Sequence, residues 1–270
     1  MPPLDVAATV IANRRLSRDY NVLTLSAPEV GARTAAGQFV MVRPAAMTET
    51  LLRRPFSVFE VIRDATGAPT AISILNKRAG RTTNRLYEME PGESIACLGP
   101  LGRPYTPATP PTEAWMVAGG VGLAPFATLA EALADRRTPS TLFYGARSDQ
   151  ELFHLDFFDR LGVKLVLTTE DGSRGERGRV TTPLNRSLAG RSPGSIMVYA
   201  CGPEPMLEAV AKLAARYNQP CQVSVERVMG CGLGGCYSCV VPVKHGDEHA
   251  NLVRSCISGP VFDGAELVWD

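Results

Sequence analysis

The sequence predicts an α+β chain in three parts: an N-terminal antiparallel β-barrel over residues 1–103, a parallel α/β domain over 112–220, and a small cysteine-rich segment over 221–270. Short apolar or alternating runs, separated by Gly, Pro and Asn, recur through the first hundred residues and favour a small barrel. Strands then alternate with helices, which is the pattern of a parallel sheet covered on both faces. Four of the seven cysteines lie between Cys231 and Cys256.

Composition excludes several classes of function. The 270 residues carry 28 basic and 27 acidic side chains, a formal charge of +1, so the charge balance gives no sign of binding to nucleic acid. No apolar run reaches the ~18 residues that span a bilayer, and the first residues lack the basic start and apolar core of a secretory signal. We therefore expect a cytoplasmic protein with reduced thiols.

Six runs predict the strands of the barrel, because each is short, apolar or alternating, and bounded by turn residues. They are Val6–Ala12, Tyr20–Ser26, Gln38–Val42, Phe56–Ile62, Thr70–Leu75 and Glu93–Leu98. The proline-rich stretch Pro104–Pro111 follows. Since proline lacks the amide hydrogen that a helix interior or a central strand needs, this stretch is predicted to be a linker.

The α/β part is predicted from apolar strand-like runs that alternate with helical ones. The strands are Ala114–Ala118, Thr141–Tyr144, Val163–Thr168 and Ser195–Ala200, and the helices are Leu123–Ala134, Leu152–Leu161 and Pro205–Arg216. The residues after Gln219, rich in glycine and cysteine, are interpreted as loop and are too few to form an independent core.

The clustered cysteines are spaced C-x4-C-x2-C-x16-C, from Cys231 through Cys236 and Cys239 to Cys256. The first three match the spacing that binds a 2Fe–2S cluster in plant-type ferredoxins, where a distant fourth cysteine completes the set. Glycines at positions 232, 234 and 235 let the chain curl closely around such a cluster, because this needs positive φ and no Cβ. Structural zinc is the alternative, but it usually takes two short C-x2–4-C pairs.

The other three cysteines carry a weaker signal. Cys97 and Cys221 lie in apolar, strand-like contexts and are expected to be inert core residues. Cys201 ends a strand and opens Cys-Gly-Pro, and ligands of parallel α/β sheets bind outside the carboxyl ends of the strands. Its position alone leaves a core residue and a ligand-contacting residue equally open.

Three stretches suit phosphate groups. The turn Gly119-Gly-Val-Gly-Leu-Ala-Pro125 lies between a strand and a helix, where backbone N–H groups and the helix dipole can meet an anion. Arg53-Arg-Pro-Phe-Ser57 opens a barrel strand, and a guanidinium suits a pyrophosphate. Asn76-Lys-Arg-Ala-Gly-Arg-Thr-Thr83 offers N–H groups, hydroxyls and positive charge. Taken singly, each also fits an ordinary tight turn, a solvated strand end or a basic loop.

The order of these parts resembles the ferredoxin–NADP reductase superfamily, and most closely the electron-transfer subunits of type B dihydroorotate dehydrogenase. The resemblance runs nearly end to end, through the R-P-F-S strand, the GGVGLAP turn, a C-G-P-x-P-M element at Cys201–Met206 and the cysteine cluster. Its most specific parts are Glu226-x-x-Met229-x-Cys231-Gly-x-Gly-x-Cys236-x-x-Cys239 and Arg254-x-Cys256-x-x-Gly-Pro-Val-Phe262.

This resemblance implies three cofactors. FAD would be held by Arg54, Pro55, Phe56, Ser57, Leu75, Asn76, Lys77, Gly80, Arg81, Thr82 and Thr83. A nicotinamide nucleotide would lie across Gly119, Gly120, Gly122, Pro125, Cys201, Gly202, Pro203 and Met206. A 2Fe–2S cluster would be bound by Cys231, Cys236, Cys239 and Cys256. The family's Gly-Thr pair after the second flavin strand occurs here only as Gly80-Arg-Thr-Thr83.

These cofactors imply electron transfer rather than acid–base catalysis. A nicotinamide exchanges two electrons as a hydride and an iron–sulfur cluster accepts one at a time, so a flavin, which does both, must lie between them. No catalytic residue is assigned, and His154, His245 and His249 are expected to be surface or packing residues. Asp149 and Glu151 follow Arg147 and make a 2′-phosphate pocket less attractive, which favours NAD over NADP.

The three parts leave no room for a substrate-oxidising domain, so electrons are expected to pass to a partner protein. In the resembled family, the partner is an FMN-containing catalytic subunit that oxidises dihydroorotate to orotate in pyrimidine synthesis, with NAD+ as final acceptor. We expect a heterotetramer with two copies of each subunit. Two other hypotheses stay open: a reductase that serves an oxygenase or hydrogenase, and a zinc-binding interaction module without enzymatic activity.

Overall fold

The computed structural model describes residues 2–46, 51–244 and 249–269. Within these ranges the N-terminal part is an antiparallel sheet of seven strands in the order β4-β3-β7-β1-β2-β6-β5. The strands are β1 (Leu4–Arg15), β2 (Tyr20–Ser26), β3 (Phe39–Pro44), β4 (Arg54–Ser57), β5 (Val61–Arg63), β6 (Pro69–Lys77) and β7 (Ser94–Leu101). Two helices join them, α1 (Pro28–Arg33) and α2 (Arg81–Glu88). The prediction of an antiparallel N-terminal sheet is confirmed.

One predicted strand is in fact two. The run Phe56–Ile62 spans the end of β4 and the start of β5. Between these strands the amide of Val58 donates to the carbonyl of Gln38 at 3.0 Å, and the amide of Phe59 donates to the carbonyl of Ser73 at 2.8 Å. The chain here leaves β3 and joins β6, so it connects the two edges of the sheet. An apolar run shows no sign of this change of partner.

The second sheet has the order β11-β10-β9-β8-β12-β13-β16 and is parallel except for β16. Its strands are β8 (Glu113–Gly119), β9 (Ser140–Ala146), β10 (Lys164–Thr169), β11 (Glu176–Arg177), β12 (Ile196–Cys201), β13 (Cys221–Ser224) and β16 (Val261–Asp263). The helices are α3 (Ala124–Asp135), α4 (Leu155–Arg160), α5 (Thr181–Leu188) and α6 (Glu204–Arg216). The predicted parallel α/β sheet is confirmed. Nowhere in the described ranges is a helix long and apolar enough to cross a bilayer.

Several boundaries differ from the sequence-based expectation. The predicted helix Leu152–Leu161 begins only at Leu155, as the shorter α4, because the backbone of His154 is left-handed with φ of 57°; a 3-10 turn at Asp149–Glu151 lies just before the predicted range. Strand β11 and helix α5 were not predicted. The interpretation of everything after Gln219 as loop was wrong, since β13 pairs with β12 as a parallel neighbour.

The C-terminal segment is tied to the parallel sheet at both of its ends. The chain leaves the sheet after β13 and returns to it at β16, which pairs antiparallel with β13. Between them, β14 (Val240–Val243) and β15 (Asn251–Arg254) form a hairpin that leads into α7 (Ser255–Ser258). The segment is therefore held against the rest of the protein rather than attached by a flexible tail.

The linker is also held in place. Residues 104–111 form no helix or strand, as predicted, but Tyr105 is buried. Its amide donates to the carbonyl of Ala36 at 2.8 Å, and its hydroxyl donates to the carbonyl of Ala200 at 3.2 Å. The N-terminal sheet and the parallel sheet also share one apolar core, which contains Phe59 of the first part and Phe126 of the second. These contacts fix the two sheets relative to each other.

Candidate redox site

The β14–β15 hairpin brings two of the predicted cluster cysteines together. Cys239 directly precedes β14, Cys256 follows β15 by two residues, and Val240 is paired with Arg254 in the hairpin register. The amide of Ser255 donates to the carbonyl of Cys239 at 2.9 Å. Cysteines separated by sixteen residues in the sequence are thus adjacent in space.

The four predicted ligands fall into two pairs. The thiols of Cys239 and Cys256 are hydrogen-bonded, and burial followed by this contact raises the pKa of Cys256 to about 12. Hydrogen bonds from the hydroxyl and amide of Ser238, and then from the Cys231 thiol, lower the pKa of Cys236 to about 6. In the part of the chain that the structure describes, no three ligand side chains converge to hold one ion. Two pairs fit a two-iron cluster, in which each iron takes two protein thiolates.

The cysteine loop, residues 229–239, lies against the N-terminal sheet. Its apolar neighbours come from β3 and β7: Phe39, Met41, Leu98 and Leu101 form one cluster with Met229, Cys239 and Cys256. Gly232 has φ of +73°, and a Cβ there would lie 2.7 Å from Cγ of Met41. The loop approaches the sheet so closely that a side chain would not fit at this glycine.

A second glycine holds the loop against α7. Gly234 has φ of +78°, and a Cβ there would lie 2.8 Å from Cγ1 of Ile257. Its carbonyl accepts a hydrogen bond from Nη1 of Arg254 at 2.8 Å, and the same guanidinium lies 4.8 Å from the ring centroid of Tyr237. Gly235 has neither a positive φ nor a neighbour within 4 Å of its Cβ position. The prediction of a positive φ at Gly235 was wrong.

The residues predicted to hold a flavin lie on three neighbouring elements. Strand β4 contains Arg54, Pro55, Phe56 and Ser57, the end of β6 contains Leu75, Asn76 and Lys77, and α2 begins with Arg81, Thr82 and Thr83. Gly80 is the N-cap of α2. Since β6 contacts both β4 and α2, the structure brings these three groups side by side.

Several of these side chains are buried or take part in local hydrogen bonds. Leu75, Asn76 and Thr82 are buried, so their backbone is what they can offer. The Oγ1 atom of Thr83 accepts hydrogen bonds from the amide of Gly80 at 2.9 Å and from the preceding amide at 2.8 Å. The threonine hydroxyl therefore closes the turn that leads into α2.

The two arginines before Pro55 have different surroundings. Arg53 forms an ion pair with Asp5 on β1 at 2.8 Å. Arg54 is exposed, and its Nη1 donates to the carbonyl of Arg53 at 3.3 Å. The guanidinium of Arg54 is therefore the better placed of the two to bind an anion from outside.

The glycine-rich turn and the Cys-Gly-Pro element meet at the carboxyl ends of β8 and β12, which are neighbours in the sheet. A Cβ on Gly122 would lie 2.1 Å from the carbonyl oxygen of Cys201, and a Cβ on Gly119 would lie 2.8 Å from Sδ of Met206. Gly202 has φ of +155°. The turn is a 3-10 helix, Gly120–Leu123, so α3 begins one residue later than predicted.

The three cysteines that are not predicted cluster ligands are Cys97, Cys201 and Cys221. Burial raises the pKa values of Cys97, Cys201 and Cys221 to about 12 in each case. Cys97 and Cys221 are core residues, as predicted. Cys201 differs from these two cysteines in its location, because its backbone carbonyl packs against the glycine-rich turn.

His154 is a packing residue, which is one of the two roles expected for it, but the sequence did not predict its partners. Its ring packs edge-on against Phe59 with 4.6 Å between centroids, and its Nε2 lies 2.6 Å from Nη2 of Arg14. Burial, followed by the charges of Arg14 and Arg160, lowers the pKa of His154 to about 4. The neutral imidazole thus accepts a hydrogen bond across the interface between the two sheets. His249 is exposed, and His245 lies outside the described residues.

Three family models match successive parts of the chain. Residues 7–106 match the oxidoreductase FAD-binding domain, and residues 116–212 match the oxidoreductase NAD-binding domain. Residues 226–268 match the iron–sulfur cluster binding domain of dihydroorotate dehydrogenase B. The cofactors FAD, NAD and an iron–sulfur cluster therefore agree with the sequence-based expectation.

Similar proteins cover nearly the whole chain. The electron transfer subunit of dihydroorotate dehydrogenase B (NAD(+)) from Desulforamulus reducens is 33% identical over 97% of this chain and 98% of its own length. The protein of the same name from Geobacillus kaustophilus is 37% identical over 96% and 97%. The solved structure of an NADH-dependent reduced ferredoxin–NADP oxidoreductase has a TM-score of 0.84 at 27% identity, covering 98% of this chain and 91% of that one.

Proposed function

Since the chain belongs to the family of electron-transfer subunits of dihydroorotate dehydrogenase B, we propose that it passes electrons between NAD(H) and a partner subunit by means of FAD and a 2Fe–2S cluster. The partner would be the FMN-containing catalytic subunit that oxidises dihydroorotate to orotate in pyrimidine synthesis, in a cytoplasmic complex with two copies of each subunit. The packing of the cysteine loop on the N-terminal sheet carries this proposal, because a one-electron carrier has to lie close to the flavin domain.

When bound, the nicotinamide supplies hydride transfer, the flavin supplies both two-electron and one-electron chemistry, and the cluster supplies one-electron transfer. Cys231, Cys236, Cys239 and Cys256 would hold the cluster as two thiolate pairs. The amide of Leu233 donates to Sγ of Cys231 at 3.3 Å. Such hydrogen bonds favour the thiolate form and tune the reduction potential.

The flavin site is assigned to β4, the end of β6 and the start of α2. Arg54 and the first amides of α2 would bind the diphosphate, since a guanidinium and the positive end of a helix both favour it. No atom lies within 4 Å of the Cβ position of Gly80, which leaves room for a ligand there. Pro55, Phe56 and Ser57 and the backbone of residues 75–77 would hold the rest of the dinucleotide.

The nicotinamide nucleotide is assigned to the cleft between Gly119–Gly122 and Cys201–Met206. Because Gly122 has no side chain, the backbone of the glycine-rich turn packs directly against the backbone of Cys201. The ligand can then lie flat across the carboxyl ends of β8 and β12. The neutral thiol of Cys201 adds no charge beside the ligand. Pro125 is buried in the first turn of α3, directly after the glycine-rich turn. Exposed Asp149, near Arg147, favours NAD over NADP.

The test is a cofactor analysis of the purified full chain under anaerobic conditions. We expect one FAD, two irons and two acid-labile sulfides per chain, with flavin absorption that NADH bleaches and NADPH bleaches at least about tenfold more slowly, the discrimination expected from about 1.4 kcal/mol of binding energy. A colourless, zinc-containing protein would exclude the proposal. Faster bleaching by NADPH would overturn the choice of NAD.

Exposed apolar side chains lie on the cysteine loop and beside it, and we call this set the apolar rim. Val228 is 81% exposed, Tyr237 62%, Leu233 53% and Ile257 48%. These large groups lie at the edge of a centre that has to deliver electrons outward, and contiguous exposed apolar groups mark interaction sites. We assign this apolar rim to the docking of the catalytic subunit.

Replacing Val228 by aspartate should weaken that docking. A carboxylate buried without a partner at an interface is costly, and central interface residues commonly contribute enough to change Kd by about 10- to 100-fold. The Kd for the catalytic subunit would be measured by titration calorimetry, with iron and FAD contents unchanged. Ile11→Asp, at a half-exposed position on β1, is the matched control. Equal effects of the two substitutions would argue against a specific rim.

A further inference from the structure

We propose that Asn13, Asn21 and Asn76 form a hydrogen-bonded relay that fixes helix α2, and so positions the flavin diphosphate site at its N-terminus. The inference rests on the flavin site assigned above and adds two residues, Asn13 and Asn21, that lie outside it. The relay crosses the adjacent strands β6, β2 and β1 and ends on the carbonyl groups of α2.

The relay is continuous. Nδ2 of Asn76 donates to Oδ1 of Asn21 at 2.8 Å, and Nδ2 of Asn21 donates to Oδ1 of Asn13 at 2.7 Å. Nδ2 of Asn13 then donates to the carbonyl groups of Met89 at 2.7 Å and of Tyr87 at 3.0 Å. Each side chain is both acceptor and donor, except that Oδ1 of Asn76 has no partner within the described ranges.

Two further hydrogen bonds connect the relay to the first and last turns of α2. Nδ2 of Asn76 also donates to the carbonyl of Thr83 in the first turn at 2.9 Å. Nδ2 of Asn21 also donates to the carbonyl of Leu86 in the last turn at 3.3 Å. One chain of amides therefore fixes both ends of α2 to the same three strands.

The direction of the relay is imposed by the helix. Carbonyl oxygens only accept, so Asn13 has to present Nδ2 to α2 and Oδ1 to Asn21. Asn21 then has to present Nδ2 to Asn13, which leaves its Oδ1 for Asn76. Aspartate at any of these positions would bring two acceptors together and break the relay.

Other contacts hold single side chains of the helix: the hydroxyl of Tyr87 donates to the carbonyl of Ser17 at 2.9 Å, and Arg85 forms an ion pair with Glu93. The relay differs from them because it binds backbone carbonyl groups at both ends of α2. In α2 only Thr82 and Leu86 are buried. The carbonyl groups of the last turn have no partner inside a helix, and these amides replace the water that would otherwise bind them. Because an eight-residue helix is short and stiff, loosening its carboxyl end tilts the amides at its start. Those amides are the groups assigned to the diphosphate.

The test compares FAD binding by full-length variants, measured from flavin fluorescence during reconstitution. Asn21→Ala removes the middle of the relay, and we expect Kd for FAD to rise at least about tenfold, as when an orienting partner of a bound group is lost. The 31P resonances of bound FAD should shift or broaden, whereas iron per chain should stay at the wild-type value. Asn13→Ala should raise Kd for FAD by a smaller factor. Asn13 is half-buried, so this substitution should also destabilise the fold less than Asn21→Ala.

Leu25→Ala is the matched control, because Leu25 lies on the same strand and is fully buried in the apolar core of the sheet. It should lower the melting temperature at least as much as Asn21→Ala and leave Kd for FAD within about threefold, since distant sites act independently. If both variants weaken FAD binding equally at matched stability, the relay has no positioning role. A wild-type chain that binds no FAD would instead refute the proposed function.

Discussion

Replacing Cys239 by serine is expected to remove the iron and the acid-labile sulfide from the protein while leaving FAD bound. Cys239 is 1% exposed, and its thiol pairs with that of Cys256 beneath the hairpin. A serine hydroxyl fills the same space but is not a thiolate, and the thiolate is the ligand that iron needs. Electron transfer to the catalytic subunit should fall by more than about 100-fold, since even outer-shell changes at metal sites cost that much. NADH should still reduce a dye that takes its electrons directly from the flavin.

The control is Cys221→Ser, measured by the same iron, sulfide and dye assays. Cys221 is buried in β13 with a pKa raised to about 12, so its thiol stays protonated and lies among apolar neighbours. This variant should keep its iron. Retention of iron in Cys239→Ser together with loss in Cys221→Ser would mean that the cysteine motif has been assigned to the wrong chemistry.

The sequence allowed the architecture to be predicted where the signals are local. Strand β2 was predicted to the residue, because Tyr20–Ser26 is bounded by turn residues before it and by Ala27-Pro28 after it. Strand β13 was not among the predicted strands although Cys221 was placed in a strand-like context, because a run of only four residues is identified as a strand by its pairing with β12. Pairing between segments that are distant in the sequence leaves no periodic trace.

The same limit applies to the site. The spacing of the cysteines and the glycine-rich turn are readable because their residues are close in the chain. The contact of His154 with Arg14 joins residues 140 positions apart, and the bond from Asn76 to Asn21 joins residues 55 apart. The residue type alone does not predict such a contact, because asparagine is common in turns and histidine is intermediate between surface and core.

The short C-terminal segment separates this chain from reductases with an independent iron–sulfur domain. The cysteine loop has no complete core of its own and uses Met41 and Leu101 of the N-terminal sheet as part of its packing. A cluster held in this way cannot move away from the flavin domain to meet a distant acceptor. Electrons have to leave where the cluster already lies, which favours a stable complex over a shuttling partner.

Gly122→Ala is expected to weaken the binding of NADH strongly. A Cβ at this position would lie 2.1 Å from the carbonyl oxygen and 2.5 Å from the carbonyl carbon of Cys201, so no side-chain movement can relieve the contact. The turn and the end of β12 would have to separate, at the upper end of the ~1–3 kcal/mol that overpacking costs. We therefore expect Kd for NADH to rise by about 100-fold. FAD and iron contents should not change, because their assigned residues lie on other elements.

Gly120→Ala separates this clash from simple backbone strain. Gly120 lies in the same turn with φ of +55°, but nothing occupies the space within 4 Å of its Cβ position. Alanine there meets no protein atom within 4 Å and costs the strain of a left-handed backbone, about 1–2 kcal/mol, so Kd for NADH should rise by less than in Gly122→Ala. Calorimetric titration of both variants with NADH measures the difference. If the two variants bind NADH equally well, the contact between the turn and Cys201 does not shape the nucleotide site, and the cleft must be sought elsewhere on the sheet.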